Sequence, residues 1–208
     1  MSSFALFDAS PSENLLPYDG IVNDYGVIFE RMVADELYQR LLRQIAWQHD
    51  VVVIAGKRIE TERQVAWHGD RSFFYRYSGA TRKAVPWTED LLVLKQEVEQ
   101  RMSSISPTVF NSCLLNLYLD GSQGMSWHSD DEDCLGDNSI IASLSFGATR
   151  KFAFRHKHSK QKVEMLLEHG QLIVMRGTTQ KCWQHAIMKS TQVTQPRINL
   201  TFRTMFGA

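Results

Sequence analysis

The residues best suited to chemistry are a histidine and an aspartate one residue apart. They are His128 and Asp130, in the segment Trp127-His128-Ser129-Asp130-Asp131-Glu132. In an extended backbone, side chains two positions apart leave the same face, so this imidazole and this carboxylate can meet at one point. Together they are two ligands for a metal ion. The pair alone is weak support for a metal site, because such short patterns occur by chance.

A third metal ligand is predicted at His185, in the segment Cys182-Trp183-Gln184-His185-Ala186. Two histidines and one carboxylate on one side of an iron leave the other side open, which is the arrangement of non-haem Fe(II) oxygenases. The set contains no thiolate and therefore suits Fe(II) better than structural zinc. We expect Cys182 to be buried beside His185 rather than to be a fourth ligand. Taken singly, each residue is better explained as a hydrogen-bonded histidine or a surface acid.

A second pattern lies downstream, where polar and apolar residues alternate from Pro196 to Arg203. As a strand, this segment has two different faces. The polar face is formed by Arg197, Asn199, Thr201 and Arg203. The apolar face is formed by Ile198, Leu200 and Phe202. Arginine is the side chain best suited to binding a carboxylate through two parallel hydrogen bonds. The pattern therefore predicts a cavity for a dicarboxylic acid beside the metal.

In their order and separations, these two patterns resemble the AlkB family of Fe(II)- and 2-oxoglutarate-dependent dioxygenases. Residues 14–20 and 75–79 also fit the nucleic-acid repair branch of that family. The resemblance implies Fe(II), 2-oxoglutarate as co-substrate, and O2. It also implies oxidative dealkylation of N-alkylated bases in DNA, of the 1-methyladenine and 3-methylcytosine type and including etheno adducts, with release of succinate, CO2 and an aldehyde.

The resemblance also implies which residues form the 2-oxoglutarate pocket: Asn116, Tyr118, Arg197, Asn199, Thr201 and Arg203. In the family, the residues matching Asn116, Tyr118 and Arg197 hold the distal carboxylate. Asn116 and Tyr118 are two positions apart in a strand-like segment, so they share a face. The alternative for Tyr118 is an amphipathic core residue with a satisfied hydroxyl.

Recognition of the substrate is implied for a further set, which comprises Tyr75, Tyr77, Ser78, Asp131, Glu132 and Arg63, with His68 in the same region as Arg63. Enzymes that act on a base atom must extrude the nucleotide from the stack or use single strands. Asp131 follows a metal ligand directly and must point away from it in an extended chain. It either faces the base together with Glu132, or orients Arg203 as a hydrogen-bond partner.

Residues 57–85 interleave aromatic and arginine side chains, a composition expected where bases stack and phosphates bind. Core packing explains half of those aromatic residues equally well. Duplex-repairing relatives carry an aromatic wedge where Ile54-Ala55-Gly56-Lys57 stands here, and a basic run where Lys189-Ser190-Thr191 stands. We therefore expect single strands to be favoured, with duplex DNA or RNA as further substrates.

The formal net charge is zero, but the charges are unevenly distributed along the sequence. From Arg150 onwards the chain has eleven Lys or Arg residues and only two acidic ones, Glu164 and Glu168. Such a basic half can bind phosphates even in a neutral protein, although solvated strand faces explain any single lysine as well. His156 and His158 form a rival pair of ligands, but the surrounding cations would repel a metal ion. We interpret that stretch as a basic hairpin that contacts the phosphate backbone.

The length of 208 residues fits a single domain. We predict a mostly β fold with flanking helices, namely a double-stranded β-helix (jelly-roll) core at 107–208 preceded at 1–106 by an N-terminal arm, helices and a nucleotide-recognition lid. The helices are predicted at 34–48 and from Pro86 to Met102, with Thr88 as N-cap. The strands are predicted at 51–54, 113–119, 139–146, 151–156, 163–167, 171–175, 183–188 and 198–204.

Three widely spaced cysteines indicate no disulfide framework, which favours a reducing compartment. The sequence lacks a leader-like start and any apolar run of the ~18 residues needed to cross a membrane. We therefore expect a cytoplasmic monomer that binds nucleic acid. Two alternatives remain open at this point. The first is another oxygenase on the same core, which acts on RNA as a demethylase or on protein or small molecules. The second is a non-catalytic jelly roll that binds nucleic acid.

Overall fold

The computed structural model describes residues 10–54, 57–77 and 80–206. Its helices are α1 (Arg31–Gln44), α2 (Glu89–Met102) and the short α3 (Thr179–Cys182). Its strands are β1 (Ile21–Val27), β2 (Gln48–Ile54), β3 (Lys57–Gly69), β4 (Phe74–Tyr77), β5 (Ala80–Lys83), β6 (Ser112–Tyr118), β7 (Met125–His128), β8 (Ile141–Gly147), β9 (Arg150–His156), β10 (Lys162–Leu167), β11 (Gln171–Arg176), β12 (Trp183–Ile187) and β13 (Arg197–Arg203).

The larger strands form two antiparallel sheets. The major sheet has seven strands in the order β1-β11-β8-β13-β6-β3-β2, and the minor sheet has four in the order β10-β9-β12-β7. Strands β4 and β5 form a separate hairpin. Two facing antiparallel sheets with helices on one side are a jelly roll, so the predicted fold class is confirmed.

Apolar side chains on the two faces of the major sheet build two cores. The outer core lies against α1 and α2 and includes Leu41, Leu94 and Leu200. The inner core lies between the two sheets and includes Ile173 and Trp183. The major sheet is therefore buried on both faces, and a polar residue on its inner face has to be bonded or to line a cavity.

The second helix begins where the sequence predicts. The hydroxyl of Thr88 accepts a hydrogen bond from the backbone N–H of Leu91, as an N-cap residue should. The first helix begins and ends earlier than predicted, because Ile45 has extended backbone and packs into the outer core. The chain from Gln48 onwards then joins β2, which pairs with β3.

Five strands were not predicted, namely β1, β3, β7 and the two strands of the β4–β5 hairpin. β1 lies within the segment expected to be an arm, and it pairs with β11 at one edge of the major sheet. β3 has a charged first half that pairs with β2, and its second half pairs with β6; the charged composition hides its strand character. β7 is too short for alternation to be visible. Both the 1–106 and the 107–208 segments contribute strands to the major sheet.

None of the helices in the described part of the chain is long and apolar enough to span a bilayer.

Candidate active site

The two histidines predicted as metal ligands are brought together by strand pairing. β7 and β12 are antiparallel neighbours in the minor sheet, and His128 lies directly opposite His185. Their ring centroids are 4.2 Å apart. Residues that are 57 positions apart in the sequence thus share one site because their strands are paired.

Asp130 completes this group from outside the sheet. β7 ends at His128, and residues 129–132 belong to no strand or helix. The Oδ1 atom of Asp130 lies 3.8 Å from Nε2 of His128. One candidate ligand atom from each of the three residues lies within 4.8 Å of the others, and among the described residues this is the one group of His, Cys, Asp and Glu with such spacing.

Hydrogen bonds orient two of these side chains for a metal. Nδ1 of His128 lies 2.8 Å from the carbonyl oxygen of Ser126, which can only accept, so Nδ1 carries the proton and Nε2 is free to bind a metal. The Oδ2 atom of Asp130 accepts a hydrogen bond of 2.7 Å from Nη2 of Arg203, which leaves Oδ1 facing the histidines. These two side chains therefore present one donor atom each to a common point.

The electrostatics keep the candidate ligands in their metal-binding forms. Burial raises the pKa of Asp130, but the Arg203 guanidinium and the two imidazoles outweigh it and hold the pKa at about 2. Burial, together with the charge of His128, lowers the pKa of His185 to about 3. At neutral pH the site thus holds an ionised carboxylate and a neutral imidazole, the forms that bind a metal.

The polar face of β13 lines the same cavity as the three candidate ligands. β13 lies in the middle of the major sheet, between β6 and β8. Its apolar residues Ile198, Leu200 and Phe202 pack into the outer core, as the alternation predicts. Arg197, Asn199, Thr201 and Arg203 face the other way, into the cavity.

Arg197 is a buried cation with open donors. It is 1% exposed, and its Nη2 donates to the hydroxyl of Ser145 and to Oδ1 of Asn199. Its Nε and Nη1 have no hydrogen-bond partner within the described residues. Burial lowers its pKa to about 10, so the guanidinium stays charged at neutral pH. A buried charge with unused donors is costly unless a ligand supplies the acceptors.

The neighbouring strands supply the rest of this pocket. Asn116 and Tyr118 on β6 lie directly opposite Asn199 and Arg197, and both line the cavity. The ring of Tyr118 lies 5.7 Å from the guanidinium carbon of Arg197. The buried Oδ1 atom of Asn116 has no hydrogen-bond partner in the part of the chain that the structure describes.

These features fit a small anionic co-substrate beside a metal. A dicarboxylate could place one carboxylate on the open donors of Arg197 and its other end near the three candidate ligands, because all of them line one cavity. The donor set has two imidazole nitrogens and one carboxylate oxygen, which suits non-haem Fe(II). The chain can therefore hold both Fe(II) and 2-oxoglutarate.

The two acidic residues after Asp130 differ in placement. Glu132 lines the cavity. Asp131 is exposed, does not line it, and accepts a hydrogen bond of 3.3 Å from Nζ of Lys157. The alternative in which Asp131 orients Arg203 is wrong, because it is Asp130 that accepts from Arg203. The loop turns after Asp130 and carries Asp131 towards the β9–β10 hairpin.

Arg63 lies in the cavity wall, but its charge is paired. Its Nη2 donates to the carboxylate of Asp50 at 2.5 Å, and it is 9% exposed. His68 is buried, and its Nδ1 is 2.7 Å from the carbonyl oxygen of Pro86, so its role is structural.

Tyr75 and Tyr77 lie on β4, whose backbone pairs with β5. Ser78, like Ala55 and Gly56 of the hairpin before the lid, lies outside the described residues.

The rival histidine pair is not a metal site in the described chain. Nδ1 of His156 accepts the backbone N–H of Ser159, and its ring packs against Tyr18 and Trp183. His158 is exposed.

Sequence reasoning missed two buried residues that support the site. Arg150 donates to three backbone carbonyls of the β6–β7 turn and to that of Met188 after β12, and its guanidinium carbon lies 5.9 Å from the Tyr118 ring. Gln180, on α3, accepts the backbone N–H of Asp130. A basic residue at the start of a strand and a glutamine in a four-residue helix carry no signal of such roles. Ser143 and Ser145, which bond to Asn199 and Arg197, could have been noticed as alternate polar positions in an otherwise apolar strand.

Comparison with known proteins decides the family. The model of the 2OG-Fe(II) oxygenase superfamily matches residues 27–203. The chain belongs to this superfamily. Members of it use Fe(II), 2-oxoglutarate and O2, so the cofactors predicted from the motifs are confirmed for this oxygenase.

Named relatives place the oxygenase within the AlkB family, as the motifs indicate. It is 39% identical over 183 residues to alpha-ketoglutarate-dependent dioxygenase alkB homolog 3 of Bos taurus, with 83% of this chain and 62% of the relative covered. It is 35% identical over 206 residues to DNA oxidative demethylase ALKBH2 of Homo sapiens, with 94% and 77% covered. The chain thus spans less than two thirds of the alkB homolog 3 relatives it matches.

A solved structure supports the fold of the oxygenase independently. "The structure of OsALKBH1" superimposes with a TM-score of 0.64 at 15% identity, covering 91% of this chain and 98% of that one. At such identity the likeness concerns the jelly-roll fold alone.

Proposed function

We propose that this oxygenase removes alkyl groups oxidatively from N-alkylated bases in DNA, of the 1-methyladenine and 3-methylcytosine type and including etheno adducts. The observation that carries the co-substrate half of the proposal is Arg197, a buried guanidinium whose Nε and Nη1 have no partner in the described chain and which lines the same cavity as His128, Asp130 and His185. The substrate half is supported by the relatives named DNA oxidative demethylase.

In this proposal His128, Asp130 and His185 bind the metal. Arg197, with Tyr118 and Asn116, binds the distal carboxylate of 2-oxoglutarate, while Asn199 and Thr201 continue the wall of that pocket. When bound, Fe(II) and 2-oxoglutarate supply the oxidation by O2 that hydroxylates the alkyl carbon, and 2-oxoglutarate leaves as succinate and CO2. The hydroxylated alkyl group then leaves the base nitrogen as an aldehyde, formaldehyde in the case of a methyl group.

The chain contributes position and exclusion of water. Buried apolar walls such as Phe152 and Leu135 surround the candidate ligands, and Arg203 holds one oxygen of Asp130. Such preorganisation supplies much of the catalytic effect when cofactors carry the chemistry. We assign Tyr75, Tyr77, Ser78, Glu132 and Arg63 to recognition of the base and its strand, with Asp131 at the outer rim of the site.

We further propose that single strands are favoured, because Ala55 stands where duplex-repairing relatives carry an aromatic wedge. A flipped base leaves a gap in the duplex that a methyl side chain cannot fill. We also propose a monomer of one domain in the cytoplasm.

Succinate release in the presence of methylated oligonucleotides tests the proposal. We expect 1-methyladenine and 3-methylcytosine in single-stranded DNA to stimulate release, with less stimulation by the same lesions in duplex DNA or RNA. Stimulation by RNA alone would favour the RNA demethylase. Binding of the oligonucleotide without succinate release would favour a non-catalytic jelly roll.

A further inference from the structure

The loop that carries Asp130 is held in place by side chains and not by a strand. Residues 129–132 have no sheet pairing, since β7 ends at His128. The position of the Asp130 backbone therefore depends on the few hydrogen bonds that the loop makes. One comes from the hydroxyl of Ser129, which donates to the carbonyl of Trp183 at 3.0 Å.

The backbone of Asp130, the candidate metal ligand, is bonded by the side chain of Gln180. The Oε1 atom of Gln180 accepts the backbone N–H of Asp130 at 2.9 Å, and Gln180 is 6% exposed. The backbone carbonyl of the same residue accepts from Nζ of Lys157 at 2.9 Å, and that amine also contacts Asp131. Gln180 thus bonds Asp130 directly and the next residue through a lysine.

The other end of the Gln180 side chain is fixed as well. Its Nε2 lies 3.4 Å from Sδ of Met175, a residue of the cavity wall. The short helix α3 that carries Gln180 leads directly into β12, the strand of His185. One amide therefore couples the loop of one candidate ligand to the strand of another.

We propose that Gln180 is a positioning residue that sets the Asp130 carboxylate for metal binding. The proposal rests on the iron site described under the proposed function. Arg203 fixes one carboxylate oxygen, and Gln180 fixes the backbone from which that carboxylate extends. With both in place, Oδ1 has one orientation available, towards the two histidines. Without the amide oxygen, the loop loses its bond at Asp130 and the carboxylate samples other orientations.

The test compares Co(II) binding by the wild-type chain, Gln180→Met and Gln180→Asn. Methionine keeps the length and volume but has no oxygen acceptor, and asparagine keeps the amide but is one methylene too short. We expect Co(II) affinity to fall by about 10- to 100-fold in both variants, the usual range for residues that orient metal ligands. The visible spectrum of bound Co(II) should also change, because it reports the geometry of the ligands.

Gln171→Met is the matched control. Gln171 is also 6% exposed, and its Oε1 accepts the backbone N–H of Glu168 at 2.7 Å, remote from the cavity. We expect this variant to lose stability in thermal unfolding while its Co(II) affinity and spectrum stay those of the wild type. An equal fall in Co(II) affinity in Gln171→Met would overturn the role of Gln180, since general destabilisation would then explain the effect.

Co(II) binding by the wild-type chain and by His128→Ala separates the role of Gln180 from the iron site itself. Suppose that the wild-type chain binds Co(II), that His128→Ala does not, and that both Gln180 variants bind it with unchanged affinity. Only the role of Gln180 is then rejected. If wild-type chain takes up no Co(II), the iron site falls and Gln180 with it.

Discussion

Nη2 of Arg203 donates a 2.7 Å hydrogen bond to Oδ2 of Asp130, which assigns the two oxygens of one buried carboxylate to different partners. Oδ2 is held by the guanidinium, and Oδ1 faces His128. β13, the last strand of the major sheet in sequence, is thereby connected to the loop after β7, and this bond links Arg203 on the polar face of β13 to the candidate metal ligands.

Substitution of His128 or Asp130 by alanine should abolish metal binding. Each change removes one of three proposed ligands, and loss of Asp130 also leaves the partly buried Arg203 without its carboxylate. Anaerobic titration with Fe(II) measures the binding, and succinate release measures turnover. His158→Ala is the control, because it removes an exposed imidazole of the rival pair. Retained Fe(II) binding in His128→Ala would reject the proposed ligand set.

Arg197→Met should weaken binding of 2-oxoglutarate by roughly 3–5 kcal/mol, the loss expected when one partner of a buried ion pair is removed. The change would appear as a raised KM for 2-oxoglutarate while Fe(II) affinity stays the same. Arg176→Met serves as the control, since Arg176 bonds to Asn23 at the edge of the major sheet. An unchanged KM would remove Arg197 from the co-substrate pocket.

Tyr75→Ala should weaken binding of single-stranded DNA that carries a methylated base. The expectation comes from the sequence resemblance, in which an aromatic face at this position stacks on the extruded base. Stacking of a base on an aromatic side chain contributes about 1–3 kcal/mol, and Tyr75→Phe should keep it. Fluorescence anisotropy measures the affinity. A fall in Fe(II) affinity instead would place Tyr75 in the core.

Thr88→Ala should lower the free energy of unfolding by about 1 kcal/mol, because the hydroxyl accepts the backbone N–H of Leu91 at the start of α2. Urea denaturation measures the loss. Thr88→Ser keeps a hydroxyl and should stay near the wild type. Since α2 packs on the outer core, away from the cavity, turnover should not change in either variant.

The sequence was most informative where alternation coincided with burial. In β13 every second residue is apolar and enters the outer core, so the polar residues between them had to face the cavity. The seven strands predicted after residue 107 overlap β6 and β8 to β13 for the same reason. The N-cap at Thr88 was equally readable, because its mechanism is local.

What could not be predicted depends on partners remote in the sequence. Sheet pairing ends at His128, so Asp130 lies in a loop, and its backbone is bonded by Gln180, fifty positions away. The role offered to Asp131 falls to Asp130 because of how that loop turns. Arg63 was predicted to bind the substrate, and it lies in the cavity wall. Its ion pair with Asp50 was not foreseen, because it depends on the pairing of β2 with β3, which short-range patterns do not reveal.

The central place of β13 has a consequence for biosynthesis. In the described chain this strand follows all others in sequence, yet it lies between β6 and β8. Until it is translated, those two strands have no partner on their inward edges, and a nascent chain presents two open templates for aberrant pairing. If β13 binds 2-oxoglutarate as proposed, the co-substrate pocket and the closed sheet form in a single late event, and 2-oxoglutarate stabilises the folded chain by binding it alone.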